Sequence, residues 1–116
     1  CGHGSHVAGT ILASENNEGV RGIFPGADSP LIVKVFFDSG CGWAYSSTLI
    51  RAVDHCIDAG AKIISMSLGG YSRSVAQEDA FDEFWKEDGV LSIAAAGNDG
   101  NSAYGYPASY SSVMSV

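Results

Sequence analysis

Three short segments hold the residue types and spacings best suited to chemistry. The first is Gly2-His3-Gly4-Ser5-His6-Val7-Ala8-Gly9-Thr10. Two histidines at i and i+3 of a helix can share a metal ion. The zinc-hydrolase pattern, however, needs i and i+4 with a Glu between them, and Gly4 and Ser5 supply no general base. A third ligand would have to come from His55 or a cysteine. One of these imidazoles is better suited to general-base work, where the ring must be neutral when it meets its nucleophile. The second segment, Gly40-Cys41-Gly42-Trp43-Ala44-Tyr45, begins like the dinucleotide fingerprint G-x-G-x-x-G, but Tyr45 stands in place of the third glycine. Asp58, the acid that would meet a ribose, lies inside a predicted helix instead of at a strand end. A glycine-lined strand pairing with an extended peptide explains Gly40 and Gly42 equally well. The third segment is Ala95-Ala96-Gly97-Asn98-Asp99-Gly100. Its small residues leave an open wall, and an Asn amide on a tight turn can aim N–H groups at a developing oxyanion. The same Asn also fits a plain turn residue.

The elements around these segments suggest how they are held. Residues 31–37 form a β-branched and aromatic run, which predicts a strand buried on both faces. A helix follows from Ser46 or Ser47 to Gly60, with Leu49, Ile50, Val53, Cys56 and Ile57 on one stripe. Residues 62–68 predict a second strand, closed by Gly69-Gly70. A second helix starts after Ser72 or Ser74, with Ala76, Ala80, Phe81, Phe84 and Trp85 expected inward; Gly89 ends it, and residues 90–96 predict a third strand. Strands alternating with helices at these spacings imply an α/β fold, a parallel sheet flanked by helices. Ligands bind such sheets beyond the carboxyl ends of the strands. That edge should carry residues 38–43, 67–70 and 97–100. Turn-rich residues 15–30 and 97–107 read as surface loops.

Composition narrows the function classes. The chain has 116 residues, with 13 Asp+Glu against 6 Lys+Arg, a formal net charge of −7, and 46% hydrophobic residues. That supports one packed core and argues against disorder. The acid excess argues against a phosphate-tracking, nucleic-acid-binding surface. No apolar run approaches the ~18 residues of a membrane span. Six of the thirteen acids (Glu78, Asp79, Asp82, Glu83, Glu87 and Asp88) fall on the second helix, where a solvated face accounts for them.

Taken together, the segments resemble the catalytic domain of the subtilisin-like serine proteases, the subtilases of peptidase family S8. Residues His3 to Thr10 resemble the family signature H-G-T-H-V-A-G-T, with Ser5 in place of Thr. Ser67-Leu68-Gly69-Gly70 resembles the family's S-L-G-G strand, Gly40-Cys41-Gly42 the opposing G-S-G-like strand, and Ala95-Ala96-Gly97-Asn98 its A-A-G-N segment. The resemblance implies a subtilisin-like three-layer α/β/α fold, of which this chain is the central block. It implies that His3 is the general base of a Ser-His-Asp triad, with His6 a structural histidine behind it, and that Asn98 is the oxyanion donor. A polypeptide substrate would lie as an added strand between the Gly40, Cys41, Gly42 side and the Ser67, Leu68, Gly69 side. Ala95 and Gly97 would wall the primary specificity pocket, and Tyr45 would touch a more distant subsite.

The triad Asp of the family precedes the His motif and the nucleophilic Ser follows the Asn in a G-T-S-M-A segment; neither falls within these residues. The expectation is therefore a partial catalytic domain over 1–116, inactive in isolation, from an active parent endopeptidase. The 14–20 loop resembles a subtilase calcium loop. By that resemblance the carbonyls of Ser14, Glu18 and Val20 and the side chain of Asn16 would hold a structural Ca2+, with no metal in catalysis. The resemblance also implies a secreted protein that meets a propeptide or protein inhibitor as well as substrate. It puts Cys1 and Cys41 near the cleft, where a bridge between them is one arrangement and two free thiols the other. Cys56, on a helix inner face, reads as a buried free thiol. Two alternatives stand beside the protease reading: a Rossmann-like nucleotide-binding module, and a catalytically dead subtilase-like binding domain.

Overall fold

The computed structural model describes residues 2–27, 30–36, 42 and 46–116. The chain divides into two compact units, Cys1–Trp43 and Ala44–Val116.

Among the described residues of the first unit, the regular element is helix α1, His3–Leu12. Gly2 is its N-cap and offers no side-chain acceptor, and the first turn carries no acid. The other end is closed by backbone alone. After the loop, Gly22, Ile23 and Phe24 return and donate to the carbonyls of Ala13 (2.8 Å), Thr10 (3.0 Å) and Ile11 (2.8 Å). These are the carbonyls a helix leaves unpaired at its carboxyl end. The approach is so close that a Cβ on Gly22 would stand 2.5 Å from the Ala13 nitrogen and 2.6 Å from the Ile11 oxygen, so only glycine fits. None of the α1 residues is buried.

The second unit is an α/β layer. Helix α2 spans Ser46–Asp58 and buries Leu49, Val53 and Cys56 of the predicted stripe, with Ile50 and Ile57 half-buried. It stops where Gly60 N–H reaches the Ile57 carbonyl and Ala61 N–H the Cys56 carbonyl, the paired bonds of a Schellman ending. Strand β1 (Ile63–Met66), helix α3 (Val75–Lys86), strand β2 (Leu91–Ala94) and strand β3 (Val113–Ser115) follow. The sheet runs β1-β2-β3 and is parallel throughout, with Ile64 opposite Ser92 and Ser92 opposite Val113. Ser74 caps α3, its hydroxyl accepting from Gln77 N–H at 3.3 Å. α3 packs on α2 and on β2. Phe81 is wholly buried and meets Phe84 edge to face at 5.6 Å between ring centroids. Tyr110 lies beside Phe81 on one side and Tyr106 on the other.

Three expectations change. Among the described residues, 31–36 pair in no ladder, and Leu31 and Ile32 are exposed, Ile32 by 65%. Phe37 lies outside the described residues. High β-propensity expresses fit to a neighbouring strand and cannot make a strand by itself. Trp85 is not inward: it is 51% exposed, and Gln77 is buried in its place. Gln77, Phe81 and Phe84 lie within about 60° of one another around α3, whereas Trp85 is about 80° from Gln77, at the stripe's edge. Ala76, also expected inward, is exposed. Finally, β3 is an additional short strand over three residues whose local pattern predicts none.

Candidate active site

The sheet delivers two of the sequence-derived segments to one edge. β1 runs out into Ser67-Leu68-Gly69-Gly70 and β2 into Ala95-Ala96-Gly97-Asn98, both at carboxyl ends. They stay side by side past the strands, because Ala95 N–H donates to the Met66 carbonyl at 3.1 Å. Ala96 N–H is likewise held by the Val116 carbonyl at 2.7 Å. A Cβ built on Gly69 would stand 3.3 Å from the Tyr106 carbonyl oxygen and 3.9 Å from that of Ala95. Two other stretches of backbone therefore approach Gly69 closely.

One of those stretches was not foreseen. Gly70 and Tyr106 form an antiparallel bridge, with N–H to carbonyl bonds of 2.9 Å and 2.7 Å in the two directions. Gly105 passes close under the Ala96 carbonyl, which would sit 3.2 Å from a Cβ there. In the sequence, Gly105-Tyr106-Pro107 looked like the end of a loop; only pairing with Gly70 makes it a wall of this edge.

Asn98 is exposed on the turn that follows β2. Gly97 before it has φ +101°, a left-handed conformation that side chains resist, so the turn depends on glycine there. Asp99 after it accepts a hydrogen bond from the Tyr71 hydroxyl. The hydrogen bond to the Asp99 carboxylate, followed by some desolvation and the carboxylate's charge, pushes the Tyr71 phenol above the ordinary tyrosine range. Of the residues expected to bind substrate, Ser67, Leu68, Gly69, Ala95 and Gly97 thus share one edge of the second unit with Asn98, the expected oxyanion donor. Gly42 is half-buried, and Gly40, Cys41 and Tyr45 lie outside the described residues, as does Cys1. Cys56 is a buried free thiol, its ionisation pushed up by burial.

In the first unit, His3 is the exposed first residue of α1. His6, expected to pack as a structural residue, is exposed as well, in keeping with a helix that buries no side chain. Ser14, Asn16, Glu18 and Val20 all lie on the exposed loop after α1. Asn16 Oδ1 accepts from Glu18 N–H at 2.9 Å, curling the loop, while Glu15 is turned to Arg21 at 2.8 Å. Three carbonyls and one amide oxygen are hard donors of the kind calcium takes, and four of them make about half of a six- to eight-oxygen shell. The donor chemistry fits a calcium ion as part of its shell. Among the described residues no group of three or more His, Cys, Asp or Glu side chains could hold a metal ion.

The Asn turn and the glycine-rich strand share the carboxyl edge of an α/β sheet, the edge at which such sheets bind their ligands. The model of the subtilase family, peptidase S8, matches residues 1–116, and the chain belongs to that family. Subtilisin DY of Bacillus licheniformis is 42% identical over 119 residues, covering 99% of this chain and 42% of the relative. The major intracellular serine protease of Bacillus subtilis (strain 168) is 40% identical over 120 residues, covering 99% and 37%. Among solved structures, the psychrophilic subtilisin-like protease Apa1 from the Antarctic psychrotroph Pseudoalteromonas sp. AS-11 shares 51% identity at a TM-score of 0.83, over 95% of this chain and 25% of its own. The chain spans about two fifths of the length of each of these two curated relatives. Family membership removes the Rossmann-like reading of Gly40-x-Gly42. Among the described residues no helix is long and apolar enough to cross a membrane.

Proposed function

We propose that these residues are the central block of the catalytic domain of a serine endopeptidase, with residues 1–116 belonging to a single domain. The observation that carries the reading is the edge where Asn98, on a glycine-led turn, stands beside the Ser67–Gly70 backbone at the carboxyl ends of paired parallel strands. By the family resemblance a substrate peptide adds as a strand along Ser67, Leu68 and Gly69, and Gly40, Cys41 and Gly42 are the residues that match the family's opposing strand. Ala95 and Gly97 wall the primary pocket, and Tyr45 reaches a farther subsite.

Hydrolysis is then acyl transfer. The His3 imidazole takes the proton of a serine hydroxyl supplied by the remainder of the domain. That oxygen bonds to the scissile carbonyl carbon, and the carbonyl oxygen, now negative, accepts from the Asn98 amide. The imidazolium passes its proton to the leaving nitrogen as the C–N bond breaks. Water repeats the sequence to free the acid and restore the serine. Ser14, Asn16, Glu18 and Val20 would hold a structural calcium ion, whose chemistry is to pin the loop by charge. Export from the cytosol and binding of a propeptide or protein inhibitor complete the proposal. The 116 residues alone are inactive for want of the serine and the aspartate.

The test is hydrolysis of a chromogenic peptide by the full-length protein. His3→Ala should cost roughly 10⁶ in kcat, the scale of the corresponding change in subtilisin. Asn98→Ala should cost roughly 10²–10³, again the subtilisin scale, with KM little changed. Unchanged turnover in His3→Ala removes it as the base. A wild-type protein that binds peptides without cleaving them is the dead-domain alternative.

A further inference from the structure

The Asn98 turn projects from the sheet on a glycine hinge, and an oxyanion donor must be fixed before the reaction to be of use. The ladder holding β2 is complete at Ala96, whose N–H is taken by the Val116 carbonyl. Asn98 comes two residues later, between Gly97 at φ +101° and Gly100 at φ +61°. Both glycines are conformationally permissive, so the backbone by itself leaves the amide loosely aimed. Asp99 supplies what the backbone lacks. Its carboxylate folds back over Gly97, with Oδ2 3.6 Å from where a Cβ would stand there, and the same oxygen accepts from the Tyr71 hydroxyl. Tyr71 follows Gly70, and Gly70 is fixed to Tyr106 by two backbone bonds. A chain of hydrogen bonds thus runs from Tyr106 through the 70–71 backbone to residue 99.

We infer that Tyr71 is a positioning residue: through Asp99 it latches the Gly97–Gly100 turn to the substrate-side strand and so sets the direction of the Asn98 amide. The inference rests on the protease reading and adds to it a residue that touches neither substrate nor the reacting atoms. Arg73, the nearest cation in sequence, is committed to Glu78, so Asp99 is the charge that acts on the Tyr71 phenol. With its ionisation raised, the phenol gives up its proton at higher pH than an ordinary tyrosine. The latch is complete below the ordinary tyrosine range and is lost as pH rises through the elevated value. Above it a phenolate would face a carboxylate with no donor between them.

The experiment uses the full-length protease, with kcat and KM measured from neutral to strongly alkaline pH. Tyr71→Phe, which keeps the ring, should lower kcat about three- to tenfold with KM within about twofold, the size of one lost hydrogen bond acting in the transition state. Asp99→Ala should show the same loss. Asp99→Asn, which keeps an acceptor, should recover most of it, and Tyr71→Phe/Asp99→Ala should be no worse than either single change. Wild-type kcat should step down at alkaline pH to the Tyr71→Phe level; the step should be absent in Tyr71→Phe and move to lower pH in Asp99→Asn. A purely structural role would move none of these pH profiles. Equal kcat in wild type and Tyr71→Phe, a loss confined to KM, or losses that multiply in the double variant would overturn the latch while leaving the protease reading intact. A wild-type protein that cleaves no peptide would overturn both.

Discussion

The two units of this chain are held together by different physics. The Ala44–Val116 unit has a side-chain core: Leu49, Val53, Phe81, Phe84, Val90 and Tyr110 are buried, and aromatic rings meet across α3 and the β2–β3 connection. The His3–Leu12 helix buries no side chain, and its carboxyl end is closed by three backbone N–H groups from residues 22–24. Both contribute a proposed catalytic group, His3 on one and Asn98 on the other. The lesson is that a catalytic residue needs a fixed backbone more than a local core. In one unit a packed core carries the sheet from which the Asn98 turn leaves, and in the other backbone hydrogen bonds close the carboxyl end of the helix that begins at His3.

The contrast can be broken from either side. Phe81→Ala removes the side chain at the centre of the packed unit and should cost about 3–5 kcal/mol. In a His3→Ala background, which prevents self-digestion, the midpoint of urea unfolding should fall steeply while the slope stays the same. A cost below about 1 kcal/mol would mean that the core lies elsewhere. Gly22→Ala attacks the other unit, where a Cβ would collide with the backbone of Ala13 and Ile11. Its expected cost is about 1–3 kcal/mol, the range for overpacking that moves backbone. It should appear as faster amide exchange at Gly22, Ile23 and Phe24, with exchange in β1 and β2 unchanged. Equal effects in both places would show that the two units unfold as one and that the difference in construction has no energetic consequence.

Much of the packed unit was legible in sequence because its elements obey local rules. The α2 stripe, the Ser74 cap, the glycine stops and the two strands β1 and β2 each follow from period or end chemistry within a dozen residues. The elements misread depend on distant partners. Residues 31–36 have strand composition but no ladder, and β3 is three residues long and becomes a strand only beside β2. The site divides the same way. Asn98, Gly97 and the Ser67–Gly70 segment stood out by residue type. The Gly105-Tyr106 wall and the Tyr71–Asp99 hydrogen bond join residues about 30 positions apart, and no local pattern announces them. Gln77 is the clearest case: a polar residue on the buried stripe, whose partner lies 33 positions away in the chain.

That partner is Tyr110, and it yields the smallest and most local prediction. Its hydroxyl accepts from Ser74 N–H at 3.1 Å and lies within donating reach of the Ser74 carbonyl (3.0 Å) and Gln77 Oε1 (3.1 Å). One phenol therefore serves the cap of α3 and the buried amide beside it, tying the β2–β3 connection to the helix start. Tyr110→Phe keeps the ring contacts with Phe81 and Tyr106 and deletes only the oxygen. It should cost about 1–2 kcal/mol, more than an exposed hydrogen bond because Ser74 N–H and Gln77 lose a part-buried partner. Burial is the leading cause that raises the Tyr110 ionisation, followed by the opposing effect of the Ser74 backbone. In the unfolded chain the phenol ionises first, so its contribution is complete below the ordinary tyrosine range and fades as pH climbs toward the raised value. Wild type and Tyr110→Phe should therefore converge in unfolding midpoint at alkaline pH. A gap that stays constant with pH would show that the cost of the substitution comes from packing around the ring and not from the hydroxyl.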